Sequence, residues 1–96
     1  MTDKDKYRAK IEAELVKFGK SIEELEQEAE RQQDKFDAYK RAHIEDIKKQ
    51  KAHAEARLRE MDQAEEEKRP GILKELQGYV KDIDDNLREA LSYLAY

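Results

Sequence analysis

Residues 3–68 read DKDKYRAKIEAELVKFGKSIEELEQEAERQQDKFDAYKRAHIEDIKKQKAHAEARLREMDQAEEEK, a run that contains one glycine and no proline. An apolar residue recurs every three or four positions through this stretch, which is the period of one face of an α-helix. Ala, Glu, Lys, Leu and Arg make up 54 of the 96 residues, as is typical of long helices and coiled coils. The stretch therefore predicts one very long amphipathic helix, or two helices joined with almost no loop.

The apolar positions of the first half follow the alternating steps of four and three that mark a coiled-coil seam. They are Tyr7, Ile11, Leu15, Phe18, Ile22, Leu25 and Ala29. The seam weakens in its middle, where Gln32, His43 and Lys51 occupy seam positions and three steps of four follow one another. The N-terminal part of the seam is thus the best candidate for contact with another helix.

Three places could interrupt or end this stretch. Gly19 precedes a capping-box pattern at residues 21–24, but the heptad keeps its phase there, which favours a continuous helix. Asp34 could cap a new helix within residues 32–36, although no glycine or proline prompts a turn. Pro70 disfavours helix at the residue before it and suits the first turn of the next helix, so it marks the strongest boundary.

The predicted fold is all-α, with a single helical coiled-coil domain over residues 1–96. A long amphipathic helix over about residues 4–68 is followed by a shorter C-terminal helix over about residues 71–95, and the two form a helical hairpin. The shorter helix would cover less than half of the longer one, so the remaining seam needs another copy of the chain. The alternative is a three-helix bundle with a break near residues 32–36.

The charge pattern argues against several kinds of partner. Lys and Arg total 20 against 24 Asp and Glu, closely interleaved, so no segment has the basic excess that binding to nucleic acid requires. There is no cysteine and hence no disulfide framework. No stretch approaches an apolar membrane span, and the N-terminus lacks an apolar signal region. We expect an acidic, cytoplasmic protein.

No group of residues has the spacing of a catalytic, cofactor-binding or metal site, and we expect none of the three. Residues 82–86 match the opening of a calcium loop, but Leu87 replaces the turn glycine, so on a helix these acids face solvent. His43 and His53 are ten residues apart and cannot chelate a metal as an i, i+4 pair would. His43 fits better as a polar seam residue that sets register.

Many positions fit the apolar and polar pattern of one known family. They are Lys6, Tyr7, Lys10, Ile11, Ala13, Leu15, Phe18, Ile22, Leu25, Tyr39, Ile44, Ile47, Leu58, Leu73, Leu76, Gly78, Val80, Ile83, Leu87 and Ala90. Through them the chain resembles small bacterial coiled-coil proteins that are often described as stress-response proteins. That family usually has tryptophan where this chain has Phe18, Leu73 and Ile83. The resemblance implies a stress-associated helical protein and no catalytic residues.

We expect a non-enzymatic structural or interaction protein: a homo-oligomeric coiled coil, dimer or tetramer, that acts as a scaffold or as a stress-associated binding partner. The predicted interface residues are Tyr7, Ile11, Leu15, Phe18, Ile22, Leu25, Phe36, Tyr79, Ile83, Leu87 and Tyr93. The alternative is an amphipathic protein that binds lipid surfaces or exposed hydrophobic clients through residues 72–94. Residues 70–96 carry three Lys or Arg and five Asp or Glu, which weighs against anionic membranes.

Overall fold

A computed structural model describes the backbone of residues 3–94 and the side chains of residues 5–94. The described elements are α1 over Asp3–Arg31, α2 over Ala38–Gln63, α3 over Arg69–Leu91 and a short 3-10 helix over Ser92–Leu94. The all-α prediction is confirmed. The C-terminal helix, predicted over about residues 71–95, is α3 over Arg69–Leu91, so it ends earlier than predicted and a 3-10 turn follows it. Residue 95 itself lies outside the described residues. None of the three described helices combines the length and the apolar character that crossing a membrane needs.

The prediction of one continuous helix over residues 4–68 is wrong, because the chain reverses direction between α1 and α2. The break lies within residues 32–37, close to the place that the three-helix alternative gave it. α1 does continue through Gly19, as predicted. By turning back, the chain lets α2 cover the apolar stripe of α1, which an unbroken helix of about 100 Å would leave in water. The seam expected to need another copy is thus covered by the same chain.

Phe36 and Asp37 define the turn between α1 and α2. Phe36 is only 2% exposed and belongs to the core, so its burial anchors the connecting segment. Asp37 has an extended backbone, and its carboxylate accepts a hydrogen bond from the backbone N–H of Lys40 at 2.9 Å. This is the geometry of a helix N-cap. Asp34, the predicted cap, lies three residues too early and falls within the turn.

The C-termini of α1 and α2 are each contacted by an arginine of the next helix: Arg41 of α2 for α1, and Arg69 of α3 for α2. Arg41 donates from Nη2 to the carbonyl oxygen of Ala29 at 3.1 Å. Arg69 donates to the carbonyl oxygens of Ala64 at 3.1 Å and Asp62 at 3.3 Å. The last carbonyls of a helix have no partner within it, and a cation there also interacts favourably with the helix dipole. These contacts hold each turn closed.

The boundary at Pro70 is confirmed, but the helix before it ends earlier than predicted. α2 stops at Gln63, and α3 begins at Arg69 with Pro70 in its first turn. Residues 65–67 are three consecutive glutamates that lie in the connection. Negative charge is unfavourable at the C-terminus of a helix and favourable before the N-terminus of the next one. The acidic run therefore belongs to the turn and not to α2.

The three helices share one apolar core. Its buried members are Ile11, Leu15, Phe18, Ile22, Leu25 and Ala29 from α1, Phe36 from the turn, Ile44, Ile47, Ala54, Leu58 and Met61 from α2, and Ile72, Leu76, Ile83, Leu87 and Ala90 from α3. Arg8 pairs with Asp62 and Arg57 pairs with Glu75, so α2 runs antiparallel to both of its neighbours. The described structure measures 50 × 21 × 16 Å.

Candidate functional site

Most of the predicted interface residues lie inside the core of their own chain. Eight of them are buried: Ile11, Leu15, Phe18, Ile22, Leu25, Phe36, Ile83 and Leu87. Tyr79 and Tyr93 are half-buried against the same core, and Tyr7 is 48% exposed. A partner would reach the eight buried side chains only if the helices separated. Their use between copies of the chain stays a prediction.

A groove runs between α1 and α2 along most of their length, and we call it the α1–α2 groove. It consists of three open depressions, of which the middle one shares lining residues with each of the other two. Its lining residues are Arg8, Glu12, Leu15, Val16, Gly19, Lys20, Ile22, Glu23, Glu26, Gln27, Ala29 and Glu30 from α1, and Arg41, Ile44, Glu45, Lys48, Lys51, Glu55, Leu58, Arg59 and Asp62 from α2. Buried apolar side chains form its floor, and charged side chains form its rims.

Lys51 packs over Gly19 at the middle of the α1–α2 groove. A Cβ atom on residue 19 would lie 3.2 Å from Cε of Lys51, so the glycine gives room for the lysine stem. The ammonium group lies 3.3 Å from the carboxylate of Glu55, which pairs its charge. Val16, one turn before Gly19, is 57% exposed and lines the same part of the groove. The middle of the groove thus combines an exposed apolar side chain with a paired lysine.

Ion pairs cross the α1–α2 groove at two levels. Nζ of Lys48 lies 3.2 Å from Glu26 on α1 and 3.5 Å from Glu45 on α2. The hydrogen bond to Glu26 is the main reason that the pKa of Lys48 is raised. At the other level, Nε and Nη2 of Arg8 both donate to Asp62 at 2.6 Å, which raises the pKa of Arg8 and lowers that of Asp62. Solvent and salt screen exposed pairs of this kind, so they align the helices more than they stabilise them.

An aromatic cluster lies at the end of the structure where α1 turns into α2. The hydroxyl group of Tyr93 is 2.7 Å from Nδ1 of His43, and its ring packs edge-on against Phe36 with centroids 6.3 Å apart. Nζ of Lys40 lies 5.1 Å from the centre of the Tyr93 ring, a cation–π distance. Burial is the largest cause of the raised pKa of Tyr93. His43, predicted as a polar seam residue, therefore has its polar contact within the chain.

The acidic stretch that resembles the start of a calcium loop lies on α3, in continuous helix. Asn86, its last residue, donates a hydrogen bond to the side chain of Gln50 on α2 at 2.9 Å. Across the described residues, no group of three or more His, Asp or Glu side chains is placed to hold a metal ion. Asn86 thus helps to pack α3 against α2.

Sequence reasoning missed two features of the α1–α2 groove. Val16 falls outside the seam pattern, and its exposure depends on how far apart α1 and α2 lie. Arg41 lies outside the seam pattern, yet it contacts the end of α1 and also lines the groove. It follows the turn residue Phe36 by five positions, a spacing that carries no recognised sequence signal. Both features depend on contacts between elements.

No family model, curated protein or solved structure matches this chain. The resemblance to small bacterial coiled-coil proteins therefore stays a prediction that rests on the positions that fit their pattern. The fold and the α1–α2 groove define a small three-helix protein whose accessible features, within the described residues, are helix surfaces and open depressions between helices.

Proposed function

We propose that this chain is a non-enzymatic interaction protein that assembles with itself through helix–helix contacts along the α1–α2 groove and so acts as a scaffold. The observation that carries this proposal is the groove itself, with a buried apolar floor, charged rims and the exposed side chain of Val16. A groove between two helices accepts a further helix by the same packing of ridges into grooves that joins helices within a chain.

The proposed contact surface differs from the one that the seam pattern suggests. Seam residues such as Leu15 and Ile22 are buried and reach the groove only as its floor. Residues on the rims remain accessible while the three helices stay packed. Self-assembly through the rims therefore requires no unfolding. The family resemblance implies that this self-assembly takes place as part of a stress response.

Binding of lipid surfaces or hydrophobic clients by residues 72–94 is the second candidate. It requires α3 to leave the core and expose its buried side chains, which are Ile72, Leu76, Ile83, Leu87 and Ala90. Each large apolar side chain stabilises the folded state by about 1.5–3 kcal/mol through its burial. Opening α3 would thus cost a large part of the stability of a chain of this size. Self-assembly in the closed state is the better supported of the two.

Sedimentation equilibrium from low micromolar to submillimolar concentration tests the proposal. We expect the mass to rise towards that of a dimer or a tetramer, and a strict monomer throughout would contradict self-assembly. Val16→Glu should weaken association because it places a charge on the apolar part of the groove. Ala13→Glu is the matched control, since residue 13 is exposed on the same helix and does not line the groove.

A further inference from the structure

One side of α2 carries a row of charged residues in which positions equally far from the middle of the helix have opposite charge. We call this set the α2 row, and it consists of Arg41, Glu45, Lys48, Ala52, Glu55, Arg59 and Asp62. Its steps alternate between four and three residues, which keeps the side chains on one side of a helix. Along the row the charges are positive, negative and positive before Ala52, and negative, positive and negative after it.

This order makes the α2 row complementary to an antiparallel copy of itself. With Ala52 opposite Ala52, Lys48 of one copy faces Glu55 of the other, and Glu45 faces Arg59. The outermost pair brings Arg41 close to Asp62 of the other copy. Within its own chain, Arg41 also donates to the carbonyl oxygens of Phe36 and Ala29, and Asp62 accepts from Arg8, so this pair adds to existing contacts. A two-fold symmetric contact repeats each of these pairs, so six opposite-charge pairs arise from one surface. Parallel pairing in register would instead place every charge opposite the same charge.

The α2 row is also accessible in the described structure. Its six charged residues all line the α1–α2 groove, and Ala52 is exposed between them. Lys48 and Asp62 already contact α1 through the exposed pairs with Glu26 and Arg8. Arg59 has no ion-pair partner among residues 5–94, the part of the chain whose side chains are described. The row can therefore meet a second chain without disturbing the core.

We propose that two copies of this chain associate through antiparallel packing of α2 on α2, centred on Ala52, so that each copy covers the α1–α2 groove of the other. The inference rests on the proposed self-assembly and adds its surface, direction and register. The small side chain of Ala52 lets the two helix axes approach to about 8 Å, the lower end of the usual range. Val16, which lies beside the row in the groove, would lose its exposure to water on association.

Distances between nitroxide spin labels in the wild-type background test the direction and the register. The chain has no cysteine, so Ala42→Cys, Lys49→Cys and Gln63→Cys each give a single label on an exposed residue of α2 outside the α2 row. Antiparallel packing predicts the shortest distance between copies at residue 49, because it lies nearest to Ala52 and leaves the close contact at Ala52 intact. At residues 42 and 63 the labels should lie further apart, by about 30 Å along the helix axis. Similar short distances at all three positions would mean parallel packing and overturn the inference.

Charge reversal tests the pairing. Glu45→Lys and Arg59→Glu should each weaken dimerisation about tenfold, because each replaces two attractive pairs with two repulsive ones. An equimolar mixture of these two variants should regain the wild-type affinity, since a mixed dimer has opposite charges at both places. Lys81→Glu and Asp85→Lys, on the exposed side of α3, are the matched controls and should change nothing. Thermal unfolding of each variant checks that the fold is retained.

The outcomes separate this inference from the proposed function. If the wild-type chain is a strict monomer, the proposed self-assembly fails and this inference fails with it. If the chain associates but the labels at residue 49 lie far apart, or the mixed variants show no recovery, only the α2 packing is wrong. Recovery in the mixture together with the shortest label distance at residue 49 supports it. High salt should weaken the dimer as well, because the pairs are exposed.

Discussion

The hydroxyl group of Tyr93 lies 2.7 Å from Nδ1 of His43 and links the 3-10 helix after α3 to the first turns of α2. The Tyr93 ring also packs against Phe36, the buried residue of the turn between α1 and α2. Three segments that are distant in sequence therefore meet at one aromatic side chain. The end of the chain is thus tied to the place where the predicted long helix breaks.

Tyr93→Phe should lower the free energy of unfolding by about 1 kcal/mol near neutral pH, because it removes the hydrogen bond to His43. Burial raises the pKa of Tyr93 above its ordinary value of 10.0, so the folded state holds the phenolic proton more tightly than the unfolded state. That stabilisation is complete below pH 10.0 and is lost as the pH rises through the folded pKa. Urea unfolding of both proteins on either side of this pH should show the wild type losing more stability, and equal losses would contradict the prediction.

Asp37→Ala should destabilise the protein by about 1 kcal/mol, because the carboxylate of Asp37 caps α2 by accepting from the N–H of Lys40. Asp34→Ala is the matched control. It removes the same charge from the same turn, but Asp34 is not the cap residue of α2. Urea denaturation of the two variants measures the difference. Equal destabilisation would show that the cap has been placed at the wrong residue.

Leu25→Ala should lower the free energy of unfolding by about 2–5 kcal/mol, because Leu25 is fully buried and its truncation leaves a cavity. Val16→Ala, on the same helix but largely exposed, should change stability by less than about 0.5 kcal/mol. Chemical denaturation at a fixed protein concentration gives both values. A small effect at Leu25 accompanied by a loss of oligomer mass would instead mean that the seam pairs between copies.

Gly78→Ala should stabilise the protein by about 0.5–1 kcal/mol, because residue 78 lies within α3 and an added Cβ meets nothing within 4 Å. Gly19→Ala should stabilise it less, since its Cβ would lie 3.2 Å from Cε of Lys51. The lysine is flexible and can shift, so the change at residue 19 should not become strongly destabilising. Melting temperatures of the two variants give the order, and a larger gain at residue 19 would contradict the packing of Lys51.

Asp62→Asn should remove a small, pH-dependent part of the stability. Hydrogen bonds from Arg8 lower the pKa of Asp62 below its ordinary 3.8, so its contribution is present above that pH and disappears as the pH falls through the folded pKa. The side chains of Arg8 and Asp62 are 35% and 41% exposed, so solvent screens the pair and limits the effect to about 0.2–1 kcal/mol. Unfolding curves of the wild type and the variant should converge in acid. Asp85→Asn, an exposed change on α3, should leave the profile unaltered.

The amino-acid sequence by itself determined that this protein is all-α, which side of α1 is buried, and that a new helix begins near Pro70. The spacing of apolar residues from Ile11 to Leu25 predicts the buried side of α1, and the heptad phase predicts that α1 passes through Gly19. Pro70 predicts the start of α3, because proline fits the first turn of a helix. The expectation that Arg69 would not be helical is wrong, since α3 begins at that residue. These are local effects, and each depends on only a few neighbouring residues.

Only the tertiary structure decided where the chain turns back and which surface remains accessible. A seam of apolar residues is buried equally well by another copy or by a later part of the same chain, so its pattern does not reveal which one covers it. Here the burial of Phe36 and the contact of Arg41 with Ala29 close the turn, and no glycine or proline is needed. Once α2 covers α1, the accessible surface is the α1–α2 groove, because its rims remain when the seam has been buried.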